Sequence, residues 1–193
     1  MLFDLDCLLR DAVLAKGGTE AFLDRLNRPE GRVFIENFAD MLVKAERKTS
    51  KVFPVTIDYN RTLDQMIAAC ACGYNNPSIT TANFPISGTG IVPQEIILID
   101  LDHDVEGDEV LRELTAVGLE PARIEHALAF GEKYPDVQRE RPVVFLGSVW
   151  DGRVPYLDGW RDERGLRLSD WHDGWSRDCR FAAVRKVLPK TAS

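Results

Sequence analysis

All four tryptophans of the 193-residue chain, Trp150, Trp160, Trp171 and Trp175, fall within 26 residues. Among them stand Asp158, Arg161, Asp162, Arg164, Asp170, His172, Asp173, Arg177 and Asp178, interleaved with Gly152, Gly159, Gly165 and Gly174. Rigid aromatics supply contact area at small entropic cost, and Arg, Ser and Gly beside them supply adaptable hydrogen bonding. This is the chemistry of a recognition surface. The candidate ligand-binding residues are Tyr156, Asp158, Trp160, Asp162, Arg164, Ser169, Asp170, His172, Asp173, Ser176, Arg177 and Asp178. Trp150 ends an apolar run and is expected in the core. Trp160, between Gly159 and Arg161, is expected at the surface. Asp170, Asp173 and Asp178 are of a type that does acid–base work in pairs. With so many arginines nearby, ion pairing is their expected fate.

A second concentration is Asp100-Leu101-Asp102-His103-Asp104, followed by Glu106, Asp108 and Glu109. The D-x-D-x-D spacing resembles a calcium loop, but Val105 stands where the loop glycine is required and Leu111 where the bidentate Glu is required. The simpler expectation is a strand running into a helix whose acidic first turn suits the helix dipole. An enzyme with an acidic metal site at Asp100–Asp104 is the rival. The cysteines, Cys7, Cys70, Cys72 and Cys179, contain no C-x-x-C pair and so no zinc-site spacing. They are read as free thiols of a reducing compartment, with Cys70 and Cys72 as small core residues. His126, beside Glu125, is expected on a helix surface. Ser87-Gly88-Thr89-Gly90-Ile91 has two glycines but no lysine or helix after it, so it is not a phosphate loop. No catalytic residue, metal ligand or cofactor is assigned, and the expectation is a non-enzyme.

These residues need elements to position them. Leu5, Leu8, Leu9, Ala12 and Val13 recur at helical spacing up to Gly17-Gly18. A second helix holds Phe22, Leu23 and Leu26 and ends before Pro29. Val33, Phe34, Phe38, Met41, Leu42 and Ala45 form a third stripe, closed by the polar run 46–50. The expected boundary lies there: a helical N-terminal segment, 1–48, and a ligand-binding domain, 50–193. Beyond it, strands are expected at 52–57, 94–101, 142–150, 153–157, 165–168 and 180–185. Helices are expected at 62–71, 107–117 and 120–130, the last ended by Gly131 and Pro135, with a loop over 73–90. Two successive helices amid short strands predict an α+β domain with a small antiparallel sheet.

Composition bounds the function. Apolar residues make up 45% and charged residues 28%, as in ordinary globular proteins, and the net charge of −7 argues against nucleic-acid binding. No run of 18 apolar residues offers a membrane span. Asp4 and Asp6 stand where a signal peptide carries basic charge, so a cytoplasmic location is expected.

Asp108–Leu114, then Gly118-Leu119-Glu120-Pro121-Ala122-Arg123-Ile124-Glu125-His126-Ala127-Leu128, resembles the helix and "G-x-R-x-P-T-x-E-E-x" signature of C-type-lectin-like domains. The resemblance is to the branch that includes formylglycine-generating enzymes and the variable proteins of diversity-generating retroelements. Trp175-Ser176-Arg177-Asp178-Cys179-Arg180-Phe181-Ala182-Ala183-Val184-Arg185 is similar to the closing "W-x-x-x-x-R-F-x-x-V/A-R" strand. The similarity spans 95–187 and departs from the signature at Glu120, Ala122 and Arg123. It implies a C-type-lectin-like domain with two helices. The enzymes of that branch use a cysteine pair in the C-terminal half, where this chain has only Cys179. The resemblance therefore implies a non-catalytic display protein binding a macromolecule, protein or glycan, through a diversified C-terminal segment. The N-terminal helices would then be the segment for homo-oligomerisation. A structural component of a phage or mobile element is the further alternative.

Overall fold

Ile96-Ile97-Leu98-Ile99 is a run of four aliphatics, and such a run makes a stable strand only when both of its faces are covered. A computed structural model describes residues 5–26, 28–33, 36 and 49–185. They fall into two units, Met1–Arg47 and Lys48–Ser193.

The first unit holds α1 (Leu5–Ala15), α2 (Glu20–Leu26) and a short 3-10 turn (Pro29–Gly31). Gly17 ends α1 in the left-handed region, at φ 83°, where glycine carries no steric cost. Arg10 pairs with Glu20 at 2.6 Å. Of the predicted third stripe, Val33 is exposed, and Phe34, Phe38, Met41, Leu42 and Ala45 lie outside the described residues.

The second unit is α+β, and its sheet is larger and more mixed than predicted. Among the described residues it has eight strands: β1 (Thr49–Asp58), β2 (Tyr74–Asn75), β3 (Ile91–Asp100), β4 (Leu119–Pro121), β5 (Val143–Val144), β6 (Arg153–Trp160), β7 (Glu163–Asp170) and β8 (Arg180–Arg185). Their order is β1-β3-β8-β5-β6-β7-β2, with β4 also pairing β8. The β5–β8 and β2–β7 pairs are parallel and the others antiparallel, so the expected small antiparallel sheet is corrected to a mixed one. The helices are α3 (Leu63–Cys70), α4 (Gly107–Ala116), α5 (Ile124–Lys133) and the short α6 (Val137–Glu140).

The sheet is covered on both sides. Ile96 and Leu98 join a core with Phe53, Val55 and Ile57 of β1 and the apolar faces of α3 and α5. Ile97 and Ile99 join a second core with Val110 and Leu114 of α4, Phe181 and Trp175. Thr62 starts α3 by accepting from the amide of Gln65, whose side chain accepts from the Thr62 amide in return.

Three expectations are corrected. The helix predicted over 120–130 begins later and ends later. Leu119–Pro121 instead extends beside Val184 as β4, and Gly131 lies inside α5. Glycine is needed there for contact: a Cβ would meet Cys70 Sγ at 2.5 Å. The strand predicted over 142–150 is regular only at Val143–Val144, with a further Phe145 amide bond to Pro155 and an isolated bridge from Trp150 to Arg153. Beyond it the Gly147 amide bonds to the Ala122 carbonyl at 2.9 Å and draws the chain off the sheet. Finally, the loop over 73–90 contributes β2, which pairs with Gly165 and Leu166 of β7.

Candidate functional site

Alternation along a strand sends successive side chains to opposite faces. On β6 and β7 this sorts the predicted binding residues. Tyr156, Asp158 and Trp160 share a face of β6. The register places Arg167 beside Tyr156, Gly165 beside Asp158 and Ser169 beside Val154 on the neighbouring strand. β2 adds Tyr74, whose ring lies 4.6 Å from the Arg167 guanidinium carbon. Arg167 Nε pairs with Asp158 at 2.9 Å. The result is a half-exposed row of aromatic and charged groups ending at Trp160, which is 69% exposed. Arg167 and Tyr74 belong to this row and were missed. Arg167's position between Gly165 and Ser169 on an alternating strand was the available signal. Burial first, and the Asp158 carboxylate second, raise the Tyr156 phenol above its ordinary value.

Arg164 belongs to the other face and is corrected from a ligand contact to a structural group. Its guanidinium donates to the carbonyls of Gly131 (2.9 Å), Cys70 (2.6 Å) and Ala71 (2.8 Å). Asp158 is likewise engaged by Arg167 rather than free. Asp162 lies in the turn after Trp160, where its carbonyl accepts from Arg139 at 3.0 Å.

The remaining predicted residues gather at the opposite end of the β6–β7 hairpin. The eight residues of β6, at about 3.3 Å each, put roughly 25 Å between Trp160 and this end. The predicted set is therefore two groups joined by the row between them. In the segment 171–179 the main chain is held firmly. The Trp171 amide bonds to Gly152 O at 2.7 Å. Trp171 Nε1 donates to Asp108 at 3.3 Å, and its ring closes over Gly107, where a Cβ would meet it at 2.8 Å. Trp175, 6% exposed, exchanges main-chain bonds with Val105 at 2.7 and 2.9 Å. Its ring lies 6.3 Å from both Tyr156 and Phe181. The Arg177 amide donates to Asp104 at 2.9 Å. Arg141 donates to the carbonyls of Arg177 and Asp178, each at 2.8 Å, while pairing with Asp100 at 2.6 Å.

The side chains of this segment behave oppositely. His172, Asp173, Ser176, Arg177 and Asp178 are exposed. Among the described residues, no side-chain hydrogen bond or ion pair is made by His172, Asp173, Arg177 or Asp178. The ion pairs expected of Asp170, Asp173 and Asp178 are absent among the described residues. Asp170 instead accepts from the His172 amide at 2.9 Å. The nearby arginines are used elsewhere: Arg180 pairs with Glu140 at 3.3 Å and Arg153 lies over the Trp150 ring at 4.7 Å.

The acidic run is dispersed. Asp100 ends β3 against Arg141 and Arg180, and Asp104 receives Arg177. Asp102 and Glu109 flank His103 at 2.9 and 3.0 Å. Among the described residues no group of three His, Cys, Asp or Glu is arranged to hold a metal ion, and no helix is long and apolar enough to cross a membrane.

His126 is buried, not on the helix surface as predicted. Its Nδ1 accepts from the Arg123 amide at 3.0 Å and so closes the N-terminus of α5. Ser148 Oγ accepts from the next amide, that of Ile124, at 3.0 Å. Burial, then the Arg123 charge, lowers the imidazole to about 4, so it is neutral at pH 7. Burial raises the neighbouring Glu125 carboxyl. Trp150 packs partly buried against Phe84 and the first core.

No protein-family model matches the chain, and no curated protein or solved structure is found to be similar to it.

Proposed function

We propose that the chain is a non-catalytic ligand-binding protein that displays the segment 171–178, together with the adjoining row on β6, β7 and β2, to a macromolecular partner, protein or glycan. One observation carries this reading. The main chain of the segment is pinned to buried or paired groups, while the side chains of His172, Asp173, Arg177 and Asp178 make no hydrogen bond or ion pair among the described residues. A held backbone lowers the ordering cost of binding, and uncommitted polar side chains are available to a ligand. Tyr156, Trp160 and Arg167 are the residue types that carry most binding energy.

The C-type-lectin-like fold and the variable-protein relationship are part of this proposal. The motif Arg180-Phe181-x-x-Val184-Arg185 supports them, as the strand at the centre of the sheet. So does the helix pair that precedes it. Diversification requires the pinned residues, Trp171, Trp175, Arg180 and Phe181, to stay fixed while the exposed ones change.

The test is a glycan and peptide array probed with labelled full-length protein and with a variant carrying alanine at 172, 173, 177 and 178. Features bound by the wild type should be lost by a variant that melts at the same temperature. Unchanged binding would break the reading. Sequencing of the flanking DNA tests diversification separately. A reverse transcriptase gene and a template repeat matching the codons for about residues 150–185 except at adenines is the expected finding.

A further inference from the structure

Cys70 closes α3, Cys72 follows two residues later, and their Sγ atoms lie 3.4 Å apart. The approach is enforced from several directions. Ala71, between them, adopts left-handed φ and ψ of 52° and 41°, which turns the chain out of the helix and brings the second thiol back to the first. Arg164 holds that turn through the Cys70 and Ala71 carbonyls. Gly131 leaves room for Cys70 Sγ where any other residue would collide with it. Gln138 Nε2 bonds to the Asp158 carbonyl at 2.7 Å and reaches Cys72 Sγ at 4.0 Å. Cys70 is fully enclosed, and Cys72 keeps 8% of its surface exposed.

We propose that Cys70 and Cys72 form a redox-reactive dithiol, in which Cys72 reduces a small hydroperoxide and Cys70 resolves the product into a Cys70–Cys72 disulfide. The Cys72 sulfur attacks one peroxide oxygen as thiolate. The O–O bond breaks, the departing alkoxide or hydroxide takes up the proton released by Cys72, and Cys72 is left as the sulfenic acid. The Cys70 sulfur then attacks the Cys72 sulfur. The S–S bond forms, the S–O bond breaks, and the hydroxide leaves with the Cys70 proton as water. Two thiols and one hydroperoxide become one disulfide, one alcohol (or water) and one water. Two electrons pass from the sulfurs to the peroxide. Closure needs the sulfurs to move only from 3.4 Å to about 2.05 Å.

The order of the two sulfurs follows from their surroundings. Cys72 is the one that solvent reaches. The hydrogen bond shared with Cys70 lowers its thiol to about 7, with Arg164 assisting against burial, while the same bond and burial raise Cys70. With 8% of its surface exposed, Cys72 is reachable only by a small oxidant.

The reduced full-length protein is treated with one equivalent of hydrogen peroxide, alkylated under denaturing conditions and mapped by mass spectrometry. The peptide holding Cys70 and Cys72 should lose the mass of two hydrogens at least about tenfold faster than Cys179 is oxidised. In Cys70→Ala, peroxide with dimedone should label Cys72. The proposal fails if both thiols remain alkylatable, if Cys179 reacts as fast, or if a folded Cys70→Ala leaves Cys72 unlabelled. The wild-type map decides alone if that variant does not fold.

Discussion

Arg164 and Arg167 stand three residues apart on β7 and face opposite ways. Arg164 points towards α3 and α5 and spends its donors on three main-chain carbonyls. Arg167 lies on the opposite face, beside Tyr156, with one carboxylate and one aromatic ring as partners. The same contrast holds for histidine. His126 is buried and closes a helix, whereas His172 is exposed with no side-chain bond to the rest of the chain among the described residues. The two cores and the helices packed on them thus form a framework in which polar groups such as Arg164 and His126 have fixed partners. The exposed end of the β6–β7 hairpin and the 171–178 segment carry polar groups that face solvent. Residue type does not decide which role a side chain takes; its place relative to the cores does.

The contrast can be tested first where the framework is densest. Phe181, 1% exposed, fills the second core against Trp175. Phe181→Ala should cost about 3–5 kcal/mol in urea unfolding, the usual cost of emptying a core aromatic site. A loss below about 1 kcal/mol would show that this core is loosely packed and that the segment above it lacks a rigid base.

The framework histidine should make itself felt through pH. Its value of about 4 in the folded chain lies below the ordinary 6.5, so between those values the unfolded chain binds more protons. Its stabilising contribution is therefore complete above pH 6.5 and is lost as the pH falls towards 4, by on the order of 3 kcal/mol. Glu125 acts in the opposite sense. Its raised carboxyl contributes stability below its unfolded value, and this is lost as pH rises through the folded one. The comparison of wild type with His126→Gln cancels Glu125, because Gln can accept from the Arg123 amide but does not titrate. Urea melts from pH 7.5 to 4 should converge as the pH falls. Parallel curves would mean that water reaches the imidazole.

Between the two arginines the expected difference is smaller. Arg164→Ala leaves the carbonyls of Cys70, Ala71 and Gly131 without their donor and should cost about 2–3 kcal/mol. Arg167→Ala removes one partly exposed ion pair and should cost about 1 kcal/mol or less. Equal costs would erase the distinction between the faces.

Much of this organisation was legible in the sequence where a local signal is strong. The helix over 62–71, the acidic start of α4 and the aliphatic run of β3 each lie close to where their pattern predicts. What was not legible depends on distant partners. Leu119–Pro121 has helix-compatible neighbours, yet it pairs with the stretch Ala183–Arg185 of β8 that the two-residue β5 leaves open. Gly131 reads as a helix stop until Cys70 is seen against it. Val143–Val144 is cut short by a bond between Gly147 and Ala122, which no local pattern announces. In the candidate site, Trp160 and the 171–178 segment carry a compositional signal. Charge alone does not place Arg164, but strand parity does: its neighbours at even spacing, Leu166 and Leu168, are the inward-facing residues of β7.

The smallest effects belong to the displayed segment, and they test the proposal most directly. His172, Asp173, Ser176 and Asp178 are exposed, and among the described residues only Ser176 of these makes a side-chain bond, accepting from the Asp178 amide at 3.1 Å. Each changed to alanine should alter stability by about 0.5 kcal/mol or less. The four changed together should lose close to the sum, because side chains that touch nothing in common do not couple. Asp158 and Ser169 set the contrast. Asp158→Ala breaks the Arg167 pair and should cost more than any of the four, and Ser169 is only half exposed beside Val154. The measurement is one urea melt per variant and one for the quadruple variant. A surface that accepts changing chemistry requires this flat response, since a diversified position that also held the fold would unfold most of its variants. Losses above about 2 kcal/mol at several of the four would mean that the segment is part of the framework. The separation between pinned backbone and uncommitted side chains, on which the binding proposal stands, would then be gone.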